Sequence, residues 1–227
     1  MIIMTGVSGG IGRELVMPLL EMDMVVGIYN KTLPEFPSHK NLILEQLNLE
    51  DPLAIQSFVQ RWKDKLSKLV LLHFAGVKID GIAANYNETD WDHVLGVNLK
   101  GDFLLSQALL PQMIEARWGR IVHVSSLGAI QGSPGTIAYS ASKSGLLGMS
   151  RVLAKEYGRF NITSNVITLG YFEKGMLNKL NEQQKKEILN QIPTKTFGDV
   201  SNIVNAIEFL IKSDYVNGSA ISIDGGV

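Results

Sequence analysis

The sequence predicts a doubly wound α/β fold around one mostly seven-stranded parallel sheet. Short, almost continuously apolar, β-branched runs alternate with longer segments of helical spacing, as expected of strands covered on both faces. The chain has 227 residues, enough for one α/β domain with a full core. A glycine-rich stretch follows the first apolar run directly and opens the first helical segment.

The elements follow in order. Strands are expected at Ile2–Met4, Met24–Tyr29, Leu42–Leu47, Leu69–Phe74, Arg120–Ser125, Thr163–Ile167 and Ala220–Ile223. Helices are expected over Gly12–Leu20, Pro52–Lys65, Thr89–Arg117, Tyr139–Tyr157 and Val200–Lys212. Pro52 suits a first helical turn, where a missing N–H costs nothing. Right-handed crossovers between such strands lead to the doubly wound arrangement. Leu33 to Asn41 holds two prolines and reads as a loop. Residues 173–195 are rich in Lys, Asn and Gln and read as a helical excursion on the substrate side, or as a solvated surface helix. No linker or repeat divides the chain, so residues 1–227 are expected to form one domain.

Composition narrows the function classes. The formal net charge of -1 supplies no attraction to nucleic acid or to an anionic membrane. The absence of cysteine excludes disulfides, thiolate catalysis and zinc–thiolate sites. Met1–Met4 is too short an apolar run for an export signal, and Gly6 interrupts it. No stretch approaches the ~20 apolar residues of a membrane span. A cytoplasmic protein is expected.

Thr5-Gly6-Val7-Ser8-Gly9-Gly10-Ile11-Gly12 stands where a phosphate-binding turn belongs. Gly6 can make the tight turn, Gly10 can admit a pyrophosphate, and Gly12 can bring the helix against the sheet. The helix N-terminus offers free N–H groups and positive dipole to phosphate. At the end of the second strand, Val25 to Leu33 contains no acid to hold a ribose 2′-hydroxyl. Asn30 and Lys31 stand there, and Lys31 can meet a 2′-phosphate. NADP(H) is therefore the preferred cofactor, with NAD(H) as the alternative.

The second chemical signal is Ser125-Ser126 followed by Tyr139-Ser140-Ala141-Ser142-Lys143. Tyr139 and Lys143, four residues apart, share one helix face. A free tyrosine titrates near pH ~10 and is a poor base at neutrality. A neighbouring ammonium lowers that value and fits the phenol for proton transfer. Ser126, closing an apolar strand, can orient a carbonyl oxygen. Asn98, before Gly101 in a long helical stretch, can hold a water where the helix breaks.

These motifs resemble the short-chain dehydrogenase/reductase family. The resemblance rests on Thr5 to Gly12, on Gly119-Arg120-Ile121-Val122-His123-Val124-Ser125-Ser126-Leu127-Gly128-Ala129, on Tyr139 to Gly145, and on the closing Ile223-Asp224-Gly225-Gly226. It implies a Rossmann-type domain and a catalytic set of Asn98, Ser126, Tyr139 and Lys143. By resemblance, Tyr139 is the general acid in reduction and the base in oxidation. Lys143 tunes it and binds the nicotinamide ribose, Ser126 positions the reacting oxygen, and Asn98 maintains a water relay. Cofactor contacts are implied for Gly6, Ser8, Gly10, Ile11, Gly12, Asn30, Lys31, Asn48, Leu49, Ala75, Gly76, Tyr139, Lys143, Gly170 and Phe172. No metal is needed. The pattern is most similar to the 3-oxoacyl-[acyl-carrier-protein] reductase branch. It implies hydride transfer to a 3-oxoacyl-thioester-like or other small carbonyl or alcohol. A homo-oligomer, tetramer or dimer, is implied, paired through the helices near Thr89–Arg117 and Tyr139–Tyr157.

The sequence departs from the family in places. The usual N-N-A-G reads His73-Phe74-Ala75-Gly76, where His73 is read as a core or cofactor-side residue with a catalytic role as the alternative. Asn48 replaces an acid near the adenine. Leu169-Gly170 replaces P-G, and Lys174 replaces a threonine that holds the carboxamide in relatives. Lys174 beside Glu173 reads as a solvated ion pair or as a contact for an anionic substrate. Met176, Leu177, Leu180 and Ile188 line a substrate pocket or pack the excursion down. These departures leave a competing reading, a catalytically inactive nucleotide-binding or regulatory protein of the same fold.

Overall fold

A computed structural model describes residues 1–174 and 180–227. Met176 and Leu177 lie outside the described residues.

The sheet has seven parallel strands: β1 (Ile2–Thr5), β2 (Val25–Tyr29), β3 (Leu42–Gln46), β4 (Leu69–His73), β5 (Gly119–Ser126), β6 (Ile162–Leu169) and β7 (Ala220–Ile223). Their spatial order is β3-β2-β1-β4-β5-β6-β7. The expected Rossmann-type doubly wound fold is therefore the one observed. Burial explains the sequence pattern. Every residue of β1, β4 and β6 is buried, so these strands read as unbroken apolar or small-polar runs. The edge strands β3 and β7 are only partly covered.

Helices cover both faces. On one, α1 (Gly10–Leu20) and α8 (Val200–Lys212) bury Leu15, Val16, Leu19, Ile203, Ile207 and Leu210. On the other, α2 (Pro52–Trp62) and α4 (Gly101–Ala116) bury Ile55, Phe58, Leu105, Leu109 and Met113. Asp51 caps α2 by accepting from the N–H groups of Leu53 and Ala54, and Pro52 occupies the first turn as expected.

The expected long helix from Thr89 is α3 (Glu88–Leu95) joined to α4 by a π turn, Gly96–Lys100. Asn98 sits inside that turn, so the break expected near Gly101 is real. A β-carbon on Gly101 would lie 2.8 Å from Cβ of Leu49. Only glycine lets the helix pass this close to the segment after β3.

Three short elements were not expected: α5 (Gly128–Gln131) and 3-10 turns at Ala83–Asn85 and Gly158–Phe160. The helix α6 (Ile137–Tyr157) carries Tyr139 and Lys143 in its first two turns. Within the excursion, α7 (Glu182–Gln191) starts with a reciprocal capping box between Asn181 and Gln184. Among the described residues no helix is long and apolar enough to cross a membrane.

Candidate functional site

The strand order reverses direction between β1 and β4, and the crevice beyond their C-terminal ends is where doubly wound sheets bind ligands. The glycine turn lies there. Gly6 has φ of 79°, in the left-handed region, and an added β-carbon would lie 2.6 Å from the backbone of Phe74 and Ala75. A β-carbon on Gly12 would lie 2.2 Å from the Gly6 carbonyl oxygen. The two glycines thus fold the loop back against β4. Gly9 caps α1 with backbone alone, so no side chain spends the helix's first N–H groups. Ser8, Gly9 and Gly10 are exposed and Ile11 is half-buried. This is an open cradle of N–H donors, and it fits a pyrophosphate. The Ser8 hydroxyl donates to the Thr32 carbonyl at 2.7 Å, which ties the cradle to the loop after β2.

At the rim of that loop, Asn30 and Lys31 are exposed. The Asn30 carbonyl accepts from Gln46 at 2.8 Å. Arg13, from the first turns of α1, reaches the Glu35 carbonyl at 3.1 Å and brings a second cation to the same rim. The reading of the sequence missed Arg13. Its position just after the glycine turn was the signal.

The four residues implied as catalytic meet at the C-terminal ends of β4 and β5. Asn98 is fully buried. Its Nδ2 donates to the Val77 carbonyl (2.9 Å) and to the Ser142 hydroxyl (3.1 Å), and its Oδ1 accepts from the Val77 N–H (2.8 Å). One acceptor position of Oδ1 is left. Ser142 in turn donates to the Tyr139 carbonyl at 2.7 Å, so it links the π turn to α6. Gly76 stands beside this link. A β-carbon there would be 3.4 Å from Lys143 Nζ and 3.5 Å from Asn98 Oδ1. Ser126 and Tyr139 meet on the other side, where a β-carbon on Gly128 would lie 3.7 Å from Ser126 Oγ and 3.9 Å from Tyr139 Cε1.

The protonation states follow from burial. Lys143 is 4% exposed and donates to the Val124 carbonyl at 2.8 Å, while Ser125 holds the Lys143 carbonyl at 3.0 Å. Burial lowers the pKa of the Lys143 ammonium, and the charge of Asp102 opposes that fall. Burial raises the pKa of the Tyr139 phenol, with the Ser126 hydroxyl pulling the other way. Sequence reasoning expected Lys143 to depress Tyr139. In the protein alone desolvation outweighs any such effect, and Tyr139 is a neutral phenol at neutral pH.

Other residues singled out from sequence divide. Ala75 is fixed by its N–H donating to Thr5 Oγ1 at 3.0 Å. Gly170 donates to the Ile223 carbonyl at 3.0 Å, which holds the end of β6 to β7. Asn48 is exposed, with its Oδ1 accepting from the Glu50 N–H at 3.1 Å. Leu49 and Phe172 turn their side chains into the core, so only their backbone can face a ligand. Lys174 pairs with Glu14 at 3.7 Å rather than with Glu173, and both partners are exposed. Leu180 and Ile188 are half-buried. His73 is wholly buried, which matches the core reading.

The fold and the glycine turn define a doubly wound protein of the dinucleotide-binding type. The sequence model described as short chain dehydrogenase matches residues 1–185. The chain is 34% identical to a 3-oxoacyl-[acyl-carrier-protein] reductase FabG of Rickettsia conorii, over 99% of this chain and 95% of that protein. It is 40% identical to the protein of the same name from Thermotoga maritima, over 80% of this chain and 75% of the relative. A nodulation protein G of a Rhizobium species is 32% identical over 99% and 95%. The chain belongs to the short-chain dehydrogenase family, and it is an oxidoreductase acting on the CH–OH/C=O pair.

Proposed function

We propose that the chain is an NADPH-dependent reductase of small 3-oxoacyl thioesters, and that Tyr139 supplies the proton. The observation that carries this reading is the neutral, half-buried Tyr139 phenol one helical turn from the buried Lys143 amine, with Ser126 beside it. The names of the reductase relatives support the substrate class. The absence of an acid from Val25 to Leu33, with Lys31 and Arg13 at the rim, supports a cofactor bearing a 2′-phosphate. We read residues 1–227 as one domain, acting as a cytoplasmic homo-oligomer.

The cradle from Gly6 to Gly12 would hold the pyrophosphate, and Gly76 and Lys143 would lie along the nicotinamide ribose. When bound, the nicotinamide supplies a hydride to the substrate carbon. The protein's part is the proton. Ser126 would hold the carbonyl oxygen, and the Tyr139 hydroxyl would donate its proton to that oxygen. The phenolate left behind is stabilised by the Lys143 ammonium. Asn98, fixed by Val77 and Ser142, keeps the π turn open as the path by which the proton is replaced.

The test is a titration with NADPH and NADH, followed by cofactor fluorescence, and a screen of 3-oxoacyl thioesters. NADPH is expected to bind more tightly. Tyr139→Phe is expected to keep cofactor binding and lose turnover by ~100-fold or more. Failure of the wild type to bind either cofactor would refute the reductase reading. Normal turnover by the variant would remove Tyr139 as the proton donor.

A further inference from the structure

Behind the candidate site lies a cluster that the proposed reaction does not use. His73 of β4 and His123 of β5 are direct neighbours in the strand register, and both are 0% exposed. Their rings stack with centroids 4.9 Å apart and planes within 2°. Both present Nδ1 to Asp102, itself 0% exposed in α4: Oδ1 is 3.1 Å from His73 and Oδ2 is 3.6 Å from His123. Neither approach has the alignment of a hydrogen bond, and among the described residues neither carboxylate oxygen has another hydrogen-bond partner. Each Nε2 is engaged from behind. Ser106, one turn after Asp102, meets His73 at 2.9 Å, and Ser164 meets His123 at 3.3 Å. Ser150 extends the second chain to Ser164 at 3.0 Å. With the serine hydroxyls donating to Nε2, both Nδ1–H groups face the carboxylate.

The three side chains offer metal-ligating atoms within 4.8 Å of one another. Their geometry argues against an ion. A metal binds an imidazole nitrogen in the ring plane, and two parallel stacked planes share no such point. A carboxylate stripped of water is a severe cost unless opposite charge compensates it. The nearby cation is Lys143 of α6: its Nζ and the Oδ1 of Asn98 both lie beside Gly76, and Asn98 stands one helical turn before Asp102.

We infer that Asp102, held between His73 and His123, is a positioning residue for the reaction: a fixed buried anion that keeps the Lys143 amine in its ammonium form behind Tyr139. The inference rests on the proposed role of Tyr139 and Lys143 in proton transfer. Burial alone pushes Lys143 toward the neutral amine, and Asp102 opposes this. Burial would also protonate Asp102, but His73 and His123 together outweigh it and hold the carboxyl below its usual range. The His123 imidazole is pushed toward its neutral form by burial, with Asp102 opposing and with His73 and Lys143 adding to the fall. Among the described residues, the titratable groups acting on this pocket are His73 from β4, His123 from β5, Asp102 from α4, and Lys143 and Tyr139 from α6.

The test compares wild type with Asp102→Asn. Losing the anion lowers the pH at which Lys143 gives up its proton, so the alkaline limb of kcat/KM for carbonyl reduction should move to lower pH. At a pH on that limb the variant should be about ten-fold further below wild type than it is on the plateau. Superimposable limbs would overturn the inference, because a merely structural role changes amplitude and not the limb. Two measurements need no turnover. Lysine carbon-13 NMR, assigned by difference against Lys143→Met, should show Lys143 titrating at lower pH in Asp102→Asn than in wild type. Carboxyl carbon-13 NMR of wild type should show Asp102 ionised at neutral pH, and a neutral carboxyl would overturn the inference even where the variant fails to fold. A wild type without reductase activity would sink the proposed function and leave both spectroscopic tests in force.

Discussion

His123 is sealed inside the sheet, and its neutral imidazole has a consequence for stability. Its folded pKa lies below the unfolded value of 6.5. Between those values the unfolded chain binds a proton that the folded chain refuses, so stability rises with pH there and falls on acidification. Urea unfolding from about pH 7.5 down to about pH 5.5 should show a loss beginning near the unfolded value, with this site contributing at most about 1.4 kcal/mol per pH unit. His123→Gln should flatten that part of the slope, and an unchanged slope would show that His123 does not carry it. At this scale the sequence was legible wherever one short motif held the chemistry. Tyr139, Lys143 and Ser126 stand at fixed spacings on single elements, and the structure brings them together. Asp102, His123 and Ser142 were not singled out for these contacts. Their roles depend on partners in other elements, between 21 and 44 positions away, and no local pattern encodes such pairs.

Among elements, the strands and most helices were readable because buried parallel strands leave unbroken apolar runs and covered helices leave a periodic stripe. The π turn was only half legible. Gly101 marked a break, but the cause is Asn98 reaching across to Val77, which sequence periodicity does not reveal. The short α5 carries too few residues to establish a period. Two glycines test how the glycine turn and α6 are built. Gly12→Ala would place a β-carbon 2.2 Å from a backbone oxygen that cannot move aside, so a loss of about 1–3 kcal/mol and weakened cofactor binding are expected. Gly148, exposed in α6 with nothing among the described residues of the protomer within 4 Å of a β-carbon, should accept alanine in an isolated protomer with a gain of about 0.5–1 kcal/mol. Chemical denaturation of the two variants reads both signs. A neutral Gly12→Ala would mean the turn is looser than its geometry.

For the whole molecule, the helices that carry the site also present an unpaired apolar stripe. Leu99 of the π turn and Phe103 of α4 are one turn apart, and Gly145, Met149 and Val152 continue a matching face on α6. Phe103 is 44% and Val152 53% exposed, and Phe103 borders a groove of about 1140 Å³ whose apolar wall includes Leu99, Phe103, Gly145 and Met149 and whose polar wall is Glu50, Thr89, Asp92, His93 and Lys100. Apolar side chains gathered on one face, rather than scattered, mark a surface that association would remove from water. The resemblance of the sequence to its family led to the expectation of pairing through these same two helices, and the exposed stripe supplies a physical reason for it. A two-fold axis across the stripe would set each α6 against its copy and bury the groove with matching chemistry. The double variant Phe103→Glu/Val152→Glu would force four carboxylates into that contact in a dimer. Sedimentation equilibrium should then show the wild type as an oligomer and the double variant as a monomer, with far-UV circular dichroism unchanged. A variant that keeps the wild-type mass would place the interface elsewhere. A wild type that sediments as a monomer would leave the stripe without the role assigned to it.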